Sequence, residues 1–192
     1  MAKKRKYNDT SSFGKDYEIS SDKENIIFGM YFNNELTPEL LDKISKYKKV
    51  SFGHFFDQDI NCLSKFDNIK ELRLDAHFNH EITRWPKNLE ILKFDAWDYF
   101  SDGYCLYNYE LKNLPPIKEI MLGTHFNKSI DNLPDSIEKI FFVRSSHFEL
   151  KINKLPKNLK KLHLGRHHKI NDIFPDKSII PKDIEWINDW CD

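Results

Sequence analysis

Glycine is scarce in this 192-residue chain, six in all, and no two lie close enough to form Gly-x-x-x-x-Gly-Lys or Gly-x-Gly-x-x-Gly, the loops that cradle phosphates. His-Glu-x-x-His and Gly-x-Ser-x-Gly are missing too, which removes the recognisable signatures of zinc proteases and serine hydrolases. Cysteine is limited to Cys62, Cys105 and Cys191, an odd number without a Cys-x-x-Cys pair, which fits a reducing compartment better than a disulfide framework. A lone cysteine or aspartate is no nucleophile without a located base, so no catalytic residue, cofactor or metal is expected. No run of 18 apolar residues exists to span a bilayer, and residues 1–20 are polar where a secretory leader needs an apolar stretch. The expectation is a soluble protein of the cytoplasm, with the nucleus open to it and no membrane contact. An excess of either charge is lacking as well, since 30 basic residues meet 30 acidic ones, and nothing in that balance draws the whole chain to nucleic acid.

Charge is distributed less evenly than it is balanced. Lys3, Lys4, Arg5 and Lys6 form one run, and setting them aside leaves 26 basic against 30 acidic residues, a net charge of −4. Such a run in a polar tail is what a nuclear import receptor reads, and it also supports an alternative reading of nuclear or nucleic-acid-associated action. Residues 1–25 are expected to be a disordered tail. With 40% hydrophobic residues, the remaining 26–192 is enough for one continuous core.

Internal repetition dominates that remainder. Apolar, any, apolar, Gly or Asp, two residues, Phe, Asn or Asp, two residues, Ile or Leu is satisfied by Ile26, Phe28, Gly29, Phe32, Asn33 and Leu36. The same spacing recurs from Val50 (with Phe56), from Leu72 (with Phe78 and Asn79) and from Ile120 (with Phe126 and Asn127). Weaker copies begin at Leu92, at Ile140 with Phe148 displaced by two residues, and at Leu162. Successive starts are 24, 22, 20, 28, 20 and 22 residues apart, the range of leucine-rich repeats. Pro-led corners such as Leu133-Pro134 and Leu155-Pro156 stand between copies. Period-2 alternation at each start marks a short strand with one buried face, and one coil cannot bury that face alone, so the strands must stack. The fold class predicted is a β-rich, leucine-rich-repeat-like solenoid. Short parallel strands would form its concave face and turns with short 3₁₀ segments its convex face, with Trp186 and Trp190 helping to cap the last coil. An inward-pointing Asn33, Asn79 or Asn127 would need backbone partners on adjacent coils.

The Gly123-Thr124-His125-Phe126-Asn127 string with its Leu133-Pro134-Asp135-Ser136-Ile137 corner, together with Phe78-Asn79 and Phe32-Asn33, resembles the FNIP repeat proteins. That family is frequent in social amoebae and in large DNA viruses of amoebae. The likeness covers roughly residues 26–170 and lies in the spacing, since no copy carries Ile-Pro after Phe-Asn. It implies a non-enzymatic binding scaffold. Some family members carry an F-box; Thr37-Pro38-Glu39-Leu40-Leu41 resembles the start of one but is too short a segment to form it. Short leucine-rich effectors with Leu-Pro corners are a second resemblance, without their catalytic extension.

Candidate sites follow from register. Residues flanking the buried strand positions face outward, giving one row of Lys49, Glu71, Ile91, Glu119, Lys139 and Lys161 and another of Ser51, Arg73, Lys93, Met121, Phe141 and His163. Ile91, Met121 and Phe141 place apolar groups amid charge, as protein interfaces do. With Lys93 and His163 they are the predicted partner-binding set, for a protein partner of unstated identity. The insertion Asp98 to Asn113 is aromatic and expected to pack on its own coil. His77, His125, His147 and His167 precede the Phe position or its equivalent, but no carboxylate or cysteine joins them at metal-site spacing, so they read as a ring ladder with Tyr31, Phe55 and Trp97.

Overall fold

The computed structural model describes residues 16–94, 104–165 and 168–186. Strands recur where the repeat puts its apolar alternation: β2 (Asn25–Phe28), β3 (Lys49–Ser51), β4 (Glu71–Leu74), β5 (Ile91–Phe94), β6 (Glu119–Leu122), β7 (Lys139–Phe142) and β8 (Lys161–His163). They pair in parallel and in chain order. Ile26, Val50, Leu72, Leu92, Ile120, Ile140 and Leu162 therefore stand side by side, all completely buried. β1 (Tyr17–Ile19) joins antiparallel at one end and β9 (Glu185–Trp186) parallel at the other, completing nine strands. The sheet thus begins upstream of the expected boundary at residue 26, and Trp186 supplies the register equivalent that covers Leu162. Trp190 lies outside the described residues.

The return legs are turns, the 3₁₀ segments Asn61–Lys65 and Lys177–Ile179, and two short helices, α1 (Pro38–Ile44) and α2 (Ile170–Ile173). α1 starts at Thr37, whose Oγ1 accepts from the Leu40 N–H, with Pro38 next, where a missing N–H costs nothing. The Thr37–Leu41 segment is thereby part of the first coil's own return, in which α1 turns Leu41 and Ile44 to the core.

Aromatic rings fill the interior. Phe28 stacks on Phe52 (4.8 Å), Phe52 on Phe56 (3.9 Å) and Phe56 on Phe78 (6.2 Å). Stacking in this register adds to the area term, about 1.5–3 kcal/mol for each large apolar side chain buried. In the fourth coil the ring is Tyr107, stacked 4.0 Å from Phe94 and 6.0 Å from Phe78. Tyr107 of the insertion thus packs on its own coil and on the preceding one, whereas Tyr104 is half exposed and meets His125 of the next. Trp97, Tyr99 and Phe100 lie outside the described residues.

The asparagines face the other way from the expectation. Asn33 and Asn79 are exposed and Asn127 is half-buried, because the chain is extended there and the preceding Phe takes the inward position. Their bonding is nonetheless between coils. Asn33 Oδ1 accepts the Asp57 N–H (2.8 Å), Asp57 Oδ1 accepts that of Asn79 (2.9 Å), and Asn127 Oδ1 that of Glu149 (3.1 Å). Asn108 Oδ1 does the same for Asn127 (2.8 Å), which makes Tyr107-Asn108 the fourth coil's counterpart of Phe-Asn.

Where each strand ends, coils approach closely. A Cβ on Gly53 would fall 2.4 Å from the Gly29 carbonyl oxygen, and one on Gly123 2.5 Å from Cys105 Cβ. Gly53→Ala is expected to destabilise by roughly 1–3 kcal/mol, the cost of overpacking, read as a lower urea midpoint at unchanged slope. An unchanged midpoint would mean that the coils can separate there.

Just before the strands runs a row of exposed ion pairs: Lys48 with Glu24 (2.6 Å), Glu90 with Lys70 (2.7 Å) and Lys118 (3.2 Å), and Lys160 with Glu138 (2.8 Å). Hydrogen bonds from Lys48, Lys70 and Lys160 hold the carboxyls of Glu24, Glu90 and Glu138 below the ordinary glutamate value. A depressed folded value stabilises above the unfolded one, near pH ~4.3, and that contribution is lost as pH falls through the folded one. Thermal melts of the wild type and of the Glu24→Gln, Glu90→Gln, Glu138→Gln variant should differ slightly at neutral pH and converge in acid once these carboxyls are protonated, the gap shrinking in high salt. A gap that widens in acid would contradict this sign.

Candidate functional site

Two side-chain rows face away from the core on the sheet, and pairing fixes both. Lys49, Glu71, Ile91, Glu119, Lys139 and Lys161 align as neighbours, followed by Glu185. Ser51, Arg73, Lys93, Met121, Phe141 and His163 form the second row. Ile91, Lys93, Met121, Phe141 and His163, named from sequence, thus share one face.

Their exposure differs from the expected apolar centre with a charged rim. Met121 and Phe141 are each only 3% exposed, and with Val143 they form a small cluster separate from the main core. His163 is 2% exposed, and its Nδ1–H donates to the Phe142 carbonyl across 2.6 Å. Ile91 and Lys93 are half-buried. Strand alternation assigns the face correctly, but burial on that face depends on what packs over each position, and that is not written in the strand.

Charge in the middle of the face is neutralised internally. Lys93 Nζ lies 3.2 Å from Glu119 and 4.0 Å from Glu71, and the other Glu119 oxygen receives Lys139 at 3.2 Å. Lys161 meets Glu185 at 2.7 Å. Glu119 is buried and bridges two lysines, and water screens the pair with Lys93 less than the pair with the exposed Lys139.

A second concentration of side chains sits on the turns that leave the strands. Tyr31 stacks on Phe55 (5.3 Å, 11° between ring planes), and Phe55 touches His77 (4.9 Å), with His54 edge-on to His77 (5.1 Å). Further along, Tyr104 meets His125 (4.6 Å) and His125 meets His147 (5.7 Å). The imidazole positions thus belong to a ring ladder. Among the described residues no group of three or more His, Cys, Asp or Glu side chains converges to hold a metal. His167 and the run Lys3, Lys4, Arg5 and Lys6 lie outside the described residues. The sequence reading missed Tyr107-Asn108 as a repeat position; the Tyr-Asn pair was the available signal, masked by the insertion.

Replacing Glu119 by Ala strands Lys93 without its nearer partner. The expected loss is about 1–3 kcal/mol in chemical denaturation, with Glu119→Gln intermediate because it still offers an acceptor. Equal stability of all three proteins would show that solvent reaches Lys93 freely.

Among the described residues no helix is long and apolar enough to cross a membrane. No protein-family model matches the chain, and no curated protein matches it either. Among solved structures, a protein described as CroV588, with a novel circular LRR structure, aligns over 90% of this chain and 34% of its own length. The identity is 20% and the TM-score 0.43, and this chain spans about a third of that protein. The strand ladder and its 20-to-28-residue period make the chain a β-rich, leucine-rich-repeat-like solenoid.

Proposed function

We propose that the protein is a non-enzymatic interaction scaffold that binds a protein partner on the outward, concave face of its sheet. The observation that carries this reading is the pair of in-register outward rows, which offers an extended surface at fixed spacing. Lys139 and Glu185 are exposed on it, and Lys49, Glu71, Ile91, Lys93 and Lys161 are half-buried. Met121, Phe141 and His163 lie beneath, where they set the shape of the surface and would be uncovered only by rearrangement. The Gly-x-x-Phe-Asn spacing supports placing the chain with the FNIP repeat proteins.

Met121→Lys or Phe141→Lys would place a charge in a buried cluster and so report on folding as much as on binding. The discriminating variant is Ile91→Lys, Lys139→Glu, Lys161→Glu, checked by circular dichroism. Affinity purification of tagged wild type from its own cells, with mass spectrometry, is expected to recover a partner that this variant loses, at a cost in affinity of about tenfold or more. A partner held equally by both proteins would move the binding site off this face.

A further inference from the structure

The inward row that runs from Ile26 to Leu162 is extended by one residue at the N-terminal end, where Ile19 of β1 stands opposite Ile26. Every residue from Ile26 to Leu162 in that row is completely buried, yet Ile19 is 36% exposed. The others have a strand on both sides, and β1 has one only on the side of β2. Among the described residues, the remaining exposed large hydrophobic side chains lie on turns or on α2, and Ile19 alone lies on a strand.

The backbone of β1 is open on the same side. The Asp16 carbonyl accepts the Gly29 N–H (3.1 Å) and the Ser20 N–H donates to the Asn25 carbonyl (3.0 Å). In an antiparallel ladder this parity turns the backbone groups of Asp16, Glu18 and Ser20 to β2 and those of Tyr17 and Ile19 away from it. Among the described residues nothing hydrogen-bonds to those outward groups. The edge also lacks the usual guards, since Tyr17-Glu18-Ile19 holds no lysine or proline and its register with β2 is unbroken by a bulge. Glu18 is exposed, stands beside Ile27 on the outward face, and among the described residues its carboxylate meets no cation and no donor. Lys43 is engaged elsewhere: its Nζ donates to the Tyr17 hydroxyl (2.7 Å) and lies 5.0 Å over that ring.

We infer that the outer edge of β1 takes an extended segment of a partner protein as a tenth strand, one that sets an apolar side chain beside Ile19 and a lysine or arginine beside Glu18. Backbone hydrogen bonds to Tyr17 and Ile19 hold the segment, and its alternate side chains select it. Charge complementarity with Glu18 favours that occupant over a second copy of this chain. An antiparallel pair of β1 strands that used all four outward backbone groups would set Glu18 opposite the same residue of the other copy, and like charges directly opposite destabilise a ladder. The edge closes the end of the solenoid, so the inference does not rest on binding at the concave face.

The test titrates the full-length protein into fluorescein-labelled Val-Lys-Val-Lys-Val, into Val-Glu-Val-Glu-Val, and into the lysine peptide with its backbone amides N-methylated. Binding is expected for the unmethylated lysine peptide alone. Ile19→Pro removes an N–H that faces away from β2, so the β1–β2 ladder and the circular dichroism should persist while binding weakens about tenfold or more. Glu18→Lys leaves the backbone untouched and should reverse the preference, the glutamate peptide then binding about fivefold more tightly than the lysine one. Ile91→Lys on the concave face should change nothing. Absence of binding, equal binding of the methylated peptide, an unchanged preference in Glu18→Lys, or loss of binding in Ile91→Lys would overturn the assignment. So would a dimer in sedimentation that Ile19→Pro disperses, which would give the edge to a second copy. A roughly tenfold gain on changing Lys3, Lys4, Arg5 and Lys6 to Gln would overturn it too, by making the chain's own basic run the occupant.

Discussion

Everything in this structure depends on each coil lying in register on the next. A coil of 20 to 28 residues cannot enclose its own apolar face, so Leu72 is buried because Val50 and Leu92 flank it, and the Phe56 ring because those of Phe32 and Phe78 do. Backbone hydrogen bonds carry the stack across the sheet, and side-chain oxygens of Asn33, Asp57 and Asn127 carry it across the turns where no strand exists. These turn N–H groups would otherwise rely on water alone.

Register also disciplines the surface. Because equivalent positions stand beside one another at the strand spacing of about 4.8 Å, an outward charge always faces its counterpart in the next coil. Where adjacent coils present the same sign, as Lys48 and Lys70 do, each leans away to a glutamate on its far side, Glu24 and Glu90. Glu119 takes the extreme of this arrangement by holding Lys93 and Lys139 together. The turns escape that discipline, and exposed rings such as Tyr31, Phe55 and Tyr104 collect there.

The periodicity made most of the architecture legible. The starts at Ile26, Val50, Leu72, Leu92, Ile120, Ile140 and Leu162 are the residues that pair across the sheet, since a period-2 strand leaves one choice of inward face. Tyr107-Asn108 escaped because the insertion before it breaks fixed spacing, and only ring stacking on Phe94 and Phe78 reveals its equivalence. The asparagines were given the wrong direction because a polar residue next to a core Phe can be either a buried partner or an outward brace, and composition does not tell these apart.

By itself the sequence determined the repeat, the strand positions, the side of the sheet each residue occupies and the lack of recognisable catalytic signatures. Those properties follow from local alternation and from residue types at fixed separations. Only the tertiary structure decided that Met121, Phe141 and His163 are buried on their outward face and that Lys93 sits between two glutamates. Exposure and charge pairing are set by neighbours 20 or more residues away in the chain, and stacking the coils is what brings those neighbours together.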